Sequence, residues 1–375
     1  MVENGFSNGS QNATVVRPVL LVDEAVYADY GGYLRRILVG LADLGHVAAV
    51  VCPGDIDAAL LDFPTIEMIE HPALRLGIFN ATNRRILLDR LKRFNPTVIH
   101  TFFPGQTELA AMLSEALEVP FVVTFHGRLR RFSRCRKPIF QARRLLAPSE
   151  VLVKHVSASF PSLRDRIDPV PIGSFVEETC ACFVRVDRPA SLIAVHPLDE
   201  VRLFEPLLAA VRHLALDGVE LILVLMGSGK AEEAIRRQIR TLGLTPLVTI
   251  VPLMRPLRSV LAGADLFLHL KDRGQFNAQL LEAMGVGMAI AGANDPTSGL
   301  LKDGHTAALW DPTDELSIYG CLKRLLNQRD TARQLAQGAQ AFLQQQCGVS
   351  TMIENIVNAY TAAGQSAKDP SQAAG

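Results

Sequence analysis

Short apolar runs alternate with amphipathic stretches along nearly the whole chain, and this alternation constrains the fold more than any other feature. The first run, Pro18–Val22, leads through a turn with two glycines into an amphipathic stretch over Tyr33–Leu44. The runs are continuously apolar, which is typical of parallel strands covered by helices on both faces. Further elements are predicted over Val47–Cys52, Asn80–Phe94, Thr97–Thr101, Gln106–Leu117, Phe121–Phe125, Leu145–Ala147 and Val170–Ile172.

The pattern pauses over an acidic and mixed stretch, Ser174–Pro189, and then starts again. This repetition predicts two Rossmann-like, doubly wound α/β domains whose strand carboxyl ends face a shared cleft. The predicted N-terminal domain spans 16–175, a linker 176–190, the C-terminal domain 191–345 and a last helix 346–363, between disordered ends at 1–15 and 364–375. Elements of the second half are predicted over Leu192–Val195, Leu203–Leu214, Glu220–Met226, Lys230–Leu242, Val248–Val251, Leu257–Ala262, Leu266–Leu270, Ala278–Met284, Ala289–Ala291, Asp314–Asn327 and Thr331–Ala363.

Composition narrows the class of protein. A chain of 375 residues exceeds the usual size of a single core, which agrees with two domains. Lys plus Arg equal Asp plus Glu at 38 each, so no global charge favours nucleic acid as a partner. Met1–Val15 lacks the apolar core of a signal peptide, and no apolar stretch reaches about 18 residues, so a cytoplasmic location is expected. The cysteines are expected to be reduced thiols; they are Cys52, Cys135, Cys180, Cys182, Cys321 and Cys347.

Several motifs together resemble one known family. The block YGGYLRRILVGLADLGHVAAVVC resembles the opening of family-4 glycosyltransferases, and VIHTFFP, VVTFHG and LLAPSE follow in that family's order. In the second half the similarity continues through LVLMGSGKAEEAIRRQIRTLGL, AGADLFLHL, LLEAMGVGMAIAG and KDGHTAALWDPTD. The resemblance implies the B-type fold and a retaining transfer of sugar from a nucleoside diphosphate sugar to a hydroxyl of a glycan or lipid acceptor.

The resemblance also implies which residues form the site. His126 would be the catalytic residue that contacts the donor sugar beside the reacting carbon. The alternative is that His126 is a structural histidine of the core. Glu282 would hold the ribose hydroxyls, although a carboxylate near a helix start is also favoured by the helix dipole. The glycines among the donor-side positions would let the backbone approach the donor, or would only allow ordinary turns. The remaining donor-side positions are Gly31, Gly32, Arg202, Gly227, Gly229, Phe276 and Asn277.

The donor site departs from the family pattern at three places. Pro197 stands where the family has a phosphate-binding Arg, and Arg202 stands at the matching Lys position. Gly274 replaces the sugar-facing Glu, Asn277 replaces a turn glycine, and 295–299 reads Asp-Pro-Thr-Ser-Gly instead of Gly-Gly-x-Pro-Glu. Either the donor has changed, with Arg202, Lys271 or Arg273 binding the phosphates, or the chain is an inactive, partner-binding subunit. A nucleotide-sugar epimerase is a weaker alternative.

A basic segment follows His126 directly. It contains no acidic residue and would attract the phosphate of a lipid-linked acceptor or an anionic membrane surface, although a solvated charge run is an equal alternative. Nucleic acid is disfavoured because aromatic residues are sparse there. No metal and no cofactor are expected, since helix amides and a cation can balance a diphosphate. The segment comprises Arg128, Arg130, Arg131, Arg134, Arg136, Lys137, Arg143 and Arg144.

Overall fold

The computed structural model describes residues 15–53, 64–71, 80–103, 105–128, 136–185 and 187–368. The chain forms two compact units. The first unit comprises residues 1–124, 132–146 and 353–375, and the second comprises 125–131 and 147–352. Both ends of the chain therefore belong to the first unit.

The first half of the chain builds a seven-stranded sheet in the order β3-β2-β1-β4-β5-β6-β7. β1 pairs in parallel with β2 and β4, β2 with β3, and β5 with β6. β1 and β5 are buried along their whole length, whereas the edge strand β3 exposes Glu67 and Glu70. The strands are β1 Pro18–Leu21, β2 Ala48–Cys52, β3 Ile66–Glu70, β4 Val98–Phe103, β5 Phe121–Phe125, β6 Arg144–Ala147 and β7 Ile167–Pro169.

Among the described helices of this half, the first three were predicted from the sequence pattern, and the first of these differs from the prediction at its start. α1 begins directly after its N-cap Asp23, whose side chain accepts a hydrogen bond from the amide of Val26. Tyr30 has non-helical backbone angles, so a kink divides this helix. The helices are α1 Glu24–Asp43, α2 Asn80–Phe94, α3 Thr107–Leu117, α4 Arg136–Ile139 and α5 Glu150–Ser159.

The second half builds a six-stranded sheet in the order β10-β9-β8-β11-β12-β13, in which every neighbouring pair is parallel. Leu192, Leu223, Leu225, Leu266 and Leu268 are among the buried residues that form its apolar core. The strands are β8 Ala190–Val195, β9 Leu221–Met226, β10 Val248–Val251, β11 Leu266–His269, β12 Ala289–Gly292 and β13 Ala308–Leu309.

Helices cover this sheet and end the chain. The predicted long helix over Thr331–Ala363 is in fact two helices, which break at Cys347 and Gly348. The last helix continues to Lys368, so the predicted tail from residue 364 begins inside it. The helices are α6 Glu205–Leu216, α7 Glu232–Thr241, α8 Leu257–Leu261, α9 Ala278–Gly285, α10 Glu315–Asn327, α11 Arg329–Gln346 and α12 Val349–Lys368.

The predicted α/β fold class is confirmed, and the main errors concern short elements. The strand expected at Val170–Ile172 lies earlier, at β7; Pro171 has no amide hydrogen to donate to a neighbouring strand, and residues 170–172 are irregular. β3, β13, α4 and α5 were not predicted. The described residues of Ser174–Pro189 contain neither helix nor strand, and the stretch lies within the second unit, so its role as a linker stays a prediction.

Candidate functional site

Four loops that were predicted to bind the donor leave the same edge of the six-stranded sheet. β8, β9, β11 and β12 are neighbours in this parallel sheet, so their carboxyl ends lie side by side. Ligands of open α/β sheets bind in this position. The loops begin at His196, Gly227, Leu270 and Ala293.

Gly227 and Gly229 are required by the packing of two of these loops against each other. A Cβ atom on Gly227 would lie 2.1 Å from the carbonyl oxygen of His196, and one on Gly229 would lie 2.4 Å from the carbonyl carbon of Leu198. The amide of Leu198 donates to the carbonyl of Ser228 at 2.9 Å. The glycine turn therefore encloses Pro197, the residue at the position of the family's phosphate-binding Arg.

Positively charged side chains lie near the loop that contains Pro197, although position 197 itself carries no charge. Burial lowers the pKa of His196, and the charges of Arg273 and Lys271 lower it further. The side chain of Lys271 is exposed, with its Nζ 4.0 Å from a carboxylate oxygen of Glu200. Arg202 is exposed on a short 3-10 turn over Val201–Leu203. Lys271 and Arg273 are thus the cations whose field reaches the Pro197 loop.

The backbone conformation of the loop after β11 explains why residue 274 is a glycine. Its φ is +69°, in the left-handed region that favours glycine. Its amide donates to Asp272 Oδ1 at 2.6 Å, and Asp272 Oδ2 accepts from the hydroxyl of Thr297 at 2.8 Å. The absence of the family's sugar-facing glutamate at position 274 is consequently one part of a rebuilt loop, with its own backbone conformation and hydrogen bonds, and is not the loss of a single side chain.

Asn277 links this loop to a buried histidine. Its Oδ1 accepts from the amide of Leu280 at 2.9 Å and caps α9, so its Nδ2 is the group that faces His269 Nδ1 at 3.2 Å. Nδ1 must accept, and the neutral ring therefore carries its proton on Nε2. Burial lowers the pKa of His269 to about 4, with Asp272 opposing this shift. Asn277 was predicted as a donor-site residue; its visible contacts order the loop.

Asp295 lies opposite this histidine in the turn that replaces the family's Gly-Gly-x-Pro-Glu. Its Oδ2 is 3.9 Å from His269 Nε2, and both atoms are buried without a hydrogen-bond partner among the described residues. Burial raises the pKa of Asp295, while hydrogen bonds from Ser298 oppose the shift. The hydroxyl of Ser298 also accepts from the amide of Asn277 at 2.7 Å. Hydrogen-bonded polar side chains thus stand where the family's sequence has Gly-Gly-x-Pro-Glu.

Glu282 lies in the second turn of α9 and not in its first, where the helix dipole acts most strongly. Its Oε2 accepts from Arg258 Nη1 at 3.1 Å, and the side chain is only 11% exposed. Arg258 also donates to Glu177 Oε1 and to the carbonyl of Phe175, both at 2.8 Å. A side-chain partner, rather than the helix dipole, therefore balances the charge of Glu282.

The loop after β5 is hydrogen-bonded to the loop after β11. The amide of Phe276 donates to the carbonyl of His126, and the amide of Arg128 donates to the carbonyl of Gly274, both at 2.6 Å. Gly127 forms an antiparallel bridge with Gln275, and a Cβ atom on Gly127 would lie 2.8 Å from Gln275 Cγ. This junction brings the predicted sugar contact His126 next to the predicted donor residue Phe276; both are buried.

The basic segment is described only in part. Arg128 is 45% exposed, and its Nη2 lies 3.7 Å from Asp272 Oδ2. Arg130, Arg131 and Arg134 lie outside the described residues. Among the described residues, no helix is long and apolar enough to span a membrane.

Gly31 and Gly32 are not in the loop where they were expected. Both lie inside α1, immediately after its kink at Tyr30. The helix starts at Glu24, nine residues earlier than the predicted Tyr33, because Asp23 caps it, so its free amides are near Asp23 and not at the glycine pair.

His100 in β4 is a core residue. It is fully buried, with Nδ1 2.7 Å from the hydroxyl of Tyr360 and Nε2 2.7 Å from the hydroxyl of Thr124. Burial lowers its pKa to about 3. Both ring nitrogens are satisfied within the first unit, which supports a structural role.

Two family profiles match the chain in succession. The profile of Glycosyltransferase Family 4 matches residues 31–174, and that of Glycosyl transferases group 1 matches residues 184–342. The chain is a family-4-like glycosyltransferase. No curated protein matches it in sequence.

Solved structures share the fold of this glycosyltransferase at low sequence identity. A glycosyltransferase from Rickettsia africae ESF-5 has a TM-score of 0.77 at 13% identity, covering 93% of this chain and 99% of that one. Anabaena Alr3699/HepE in complex with UDP and glucose has a TM-score of 0.73 at 16% identity, covering 92% and 99%. Sucrose-phosphate synthase from Thermosynechococcus elongatus has a TM-score of 0.71 at 16% identity, covering 94% and 100%. These similarities support the B-type fold.

Sequence reasoning on this glycosyltransferase missed Arg258 and the pair formed by His269 and Asp295. No motif marks Arg258, because its partners lie 24 and 81 residues away in the chain. His269 and Asp295 end neighbouring strands or follow them closely, and two polar residues after adjacent parallel strands were the available signal.

Proposed function

We propose that the protein transfers a hexosyl group, with retention of configuration, from a nucleoside diphosphate sugar to a hydroxyl of a glycan or lipid-linked acceptor. One observation carries the proposal: the hydrogen-bonded junction between His126–Arg128 and Gly274–Phe276. It joins the residue predicted to contact the sugar to the loop predicted to hold the donor. A donor sugar at this junction would be positioned by groups from both loops.

The ribose is proposed to bind Glu282. A carboxylate only accepts hydrogen bonds, so two neighbouring ribose hydroxyls are suitable donors to it. The pairing with Arg258 fixes one oxygen of the carboxylate and orients the other. The complex of Alr3699/HepE with UDP and glucose supports testing uridine nucleotides first.

The diphosphate is proposed to bind beside the Pro197 loop. Proline supplies neither charge nor a donor, so Lys271 and Arg273 would neutralise the leaving group as its negative charge develops. The glycine turn would bring the backbone of Ser228 close to the diphosphate, whereas the amide of Gly227 already donates to the carbonyl of Val251 at 2.9 Å. We propose that no cofactor and no metal take part.

The acceptor is proposed to approach along the basic segment that starts at Arg128. A lipid-linked acceptor carries phosphate, which guanidinium groups bind well. A peripheral contact with an anionic membrane would arise from the same charges, at about 1 kcal/mol per cation near the surface.

A thermal-shift screen tests the donor site. The purified protein is melted with UDP, GDP and ADP and with their sugar conjugates, each with and without EDTA. A nucleotide present at about 100 times its dissociation constant should stabilise the protein by about 2.7 kcal/mol. Glu282→Gln should abolish this response, whereas the matched control Glu177→Gln, which removes the other carboxylate paired with Arg258, should keep it.

The outcomes separate the alternatives. Loss of the response in EDTA would assign a metal to the site and contradict the metal-free proposal. NMR of the product anomer tests retention of configuration.

An inactive, partner-binding subunit is the second candidate, favoured by Pro197 and by the rebuilt loop at Gly274. No response to any nucleotide at millimolar concentration, with an intact melting transition, would replace the transferase proposal with this one.

A further inference from the structure

Two buried polar atoms at the carboxyl end of the second sheet face each other without a bond between them. His269 ends β11 beside Gly292 of β12, and Asp295 lies in the loop that follows β12. His269 Nε2 and Asp295 Oδ2 are 3.9 Å apart, which is too far for a hydrogen bond. The two side chains are only 5% and 1% exposed, and neither atom has another partner within the part of the chain that the structure describes. Buried polar atoms of this kind are rare and call for an explanation.

The other polar atoms of both side chains are already bonded, and this fixes what each unpaired atom offers. His269 Nδ1 accepts from Asn277 Nδ2 at 3.2 Å, so the proton of the neutral ring is on Nε2. Asp295 Oδ1 accepts from the amide of Ser298 at 3.1 Å, so Oδ2 is the unpaired acceptor. One donor and one acceptor therefore face the same gap.

A hydroxyl group is the ligand group that satisfies both atoms at once. Its oxygen accepts from Nε2–H and its own O–H donates to Oδ2. A hydroxyl oxygen at about 2.8 Å from each atom would see them at an angle of roughly 90°, which hydrogen-bond geometry tolerates. An ionised phosphate or carboxylate only accepts, and an ammonium group only donates. The pair therefore suits a neutral hydroxyl and not a charged group.

The pair lies at the position where open α/β sheets bind their ligands. From β8 the sheet extends to β9 and β10 on one side and to β11, β12 and β13 on the other. Ligands bind outside the strand carboxyl ends at this change of direction. His269 borders it from β11, and His196 borders it from β8 with an Nε2 that is also buried and unpaired in the described chain. Asp295 lies between the exposed residues Asn294 and Pro296, so the pair is close to the surface.

We propose that His269 and Asp295 bind one hydroxyl group of the donor sugar and thereby determine which hexose the protein accepts. This inference rests on the proposed function and names the residues that select its sugar. A sugar that lacks this hydroxyl would leave two buried polar atoms unpaired, which penalises its binding. The loop after β11 has Gly274 where the resemblance implies a sugar-facing glutamate, and Asp295 supplies a carboxylate from the adjacent loop.

Calorimetry on the full-length protein tests the pair with UDP, GDP and ADP and with their hexose conjugates. In Asp295→Asn the amide oxygen can stay with the amide of Ser298, so the NH2 group faces His269 Nε2–H and the ligand hydroxyl meets two donors. The ratio of the nucleotide-sugar Kd to the nucleoside diphosphate Kd should rise by about 10-fold or more. Taking this ratio largely cancels the effect of the lost charge on the diphosphate, which both ligands carry.

Asp303→Asn is the matched control. Asp303 lies in the same connection between β12 and β13, is exposed, and accepts from the amide of Leu309 at 3.0 Å. The substitution makes the same change of charge outside the proposed hydroxyl site. It should leave the ratio of the two Kd values unchanged.

Deoxy analogues identify the hydroxyl. Conjugates of the tightest-binding nucleotide are compared with analogues that each lack one sugar hydroxyl. One analogue should bind the unmodified protein about 10-fold or more weakly than its parent, and Asp295→Asn should not distinguish the two. A purely structural role of Asp295 would weaken all analogues by the same factor. Equal penalties in both proteins, as expected if a water molecule stays between the two atoms, would overturn the inference.

The outcomes separate this inference from the proposed function. A nucleoside diphosphate that binds, with a ratio of Kd values that Asp295→Asn leaves unchanged, would overturn the inference alone. If no nucleotide binds, the proposed function fails, and NMR of the isotope-labelled histidine rings with free D-glucose, D-galactose and D-mannose decides about the pair. A shift of the His269 Nε2–H resonance with one hexose and not with its deoxy analogue would support the inference, even if Asp295→Asn does not fold. No shift with any hexose would overturn it.

Discussion

Replacing Arg258 by methionine should destabilise the second unit. Arg258 is 25% exposed and Glu282 is 11% exposed, so the pair is largely removed from water. Methionine keeps much of the apolar stem but donates no hydrogen bond. The Glu282 carboxylate would lose this partner, and Phe175 would lose a donor to its carbonyl.

The size of the effect follows from the burial of the pair. Removing one partner of a buried ion pair costs about 3–5 kcal/mol, and the partial exposure of Arg258 favours the lower end, about 3 kcal/mol. The contact with Glu177, which is 55% exposed, contributes at most about 1 kcal/mol. For a unit of roughly 200 residues, about 3 kcal/mol corresponds to a fall in Tm of about 6–12 °C.

Urea unfolding without nucleotide measures this prediction, with the m-value as a check on the unfolding transition. Glu177→Gln is the matched control and should cost less than about 1 kcal/mol. The double variant Arg258→Met with Glu282→Gln should recover most of the stability, because no buried charge is left unpaired. If the single Arg258 variant loses no more stability than Glu177→Gln, or if the double variant recovers nothing, the burial argument fails.

Three further predictions concern other parts of the chain. The folded-state pKa of His100 lies near 3, below its unfolded value of 6.5, so its stabilising contribution is complete above about pH 6.5 and is lost as pH falls towards 3. In His100→Asn, the free energy of unfolding should therefore fall less steeply with decreasing pH over this range. An unchanged slope would contradict the prediction. Gly320 is at an exposed helix position with no atom within 4 Å of a new Cβ, so Gly320→Ala should raise the free energy of unfolding by about 1 kcal/mol in urea melts. Gly227→Ala should lower it by about 1–3 kcal/mol, because its Cβ would collide with backbone. Equal effects of the two variants would argue against the packing of the glycine turn. Gly274→Glu restores the family's residue at a φ of +69°, so it should cost about 1–2 kcal/mol and should not improve nucleotide binding measured by calorimetry; a gain in affinity would show that this loop is not rebuilt.

The fold could be predicted from sequence because parallel strands and their helices produce patterns within short windows. Phe121–Phe125 and Asn80–Phe94 were predicted with the bounds that the structure gives them. The kink at Tyr30 and the early start of α1 were missed because a glycine pair is typical of a loop, and only Asp23 marks the true start. Local signals compete at such positions, and side-chain capping decides between them.

The candidate site could be predicted only where its parts follow one another along the chain. Gly227, Gly229 and Glu282 were found by motif, but their contacts with His196, Leu198 and Arg258 depend on the tertiary fold. The absence of the family's glutamate at Gly274 was visible in sequence. Its physical reason, a left-handed backbone held by Asp272, was not.

The return of the C-terminal helix to the first unit has a consequence for synthesis on the ribosome. Tyr360 in α12 meets His100 in the core of that unit, and Ile353 lies so close to Gly40 that a Cβ atom there would be 2.4 Å from its Cγ1. The roughly 200 residues of the second unit emerge between these partners, which takes on the order of 10–40 s at the usual rate of translation. During that interval the first unit is without its closing helix and exposes apolar surface. A nascent chain that stalls within the second unit is therefore a substrate for chaperones and proteases, even though the N-terminal strands are already complete.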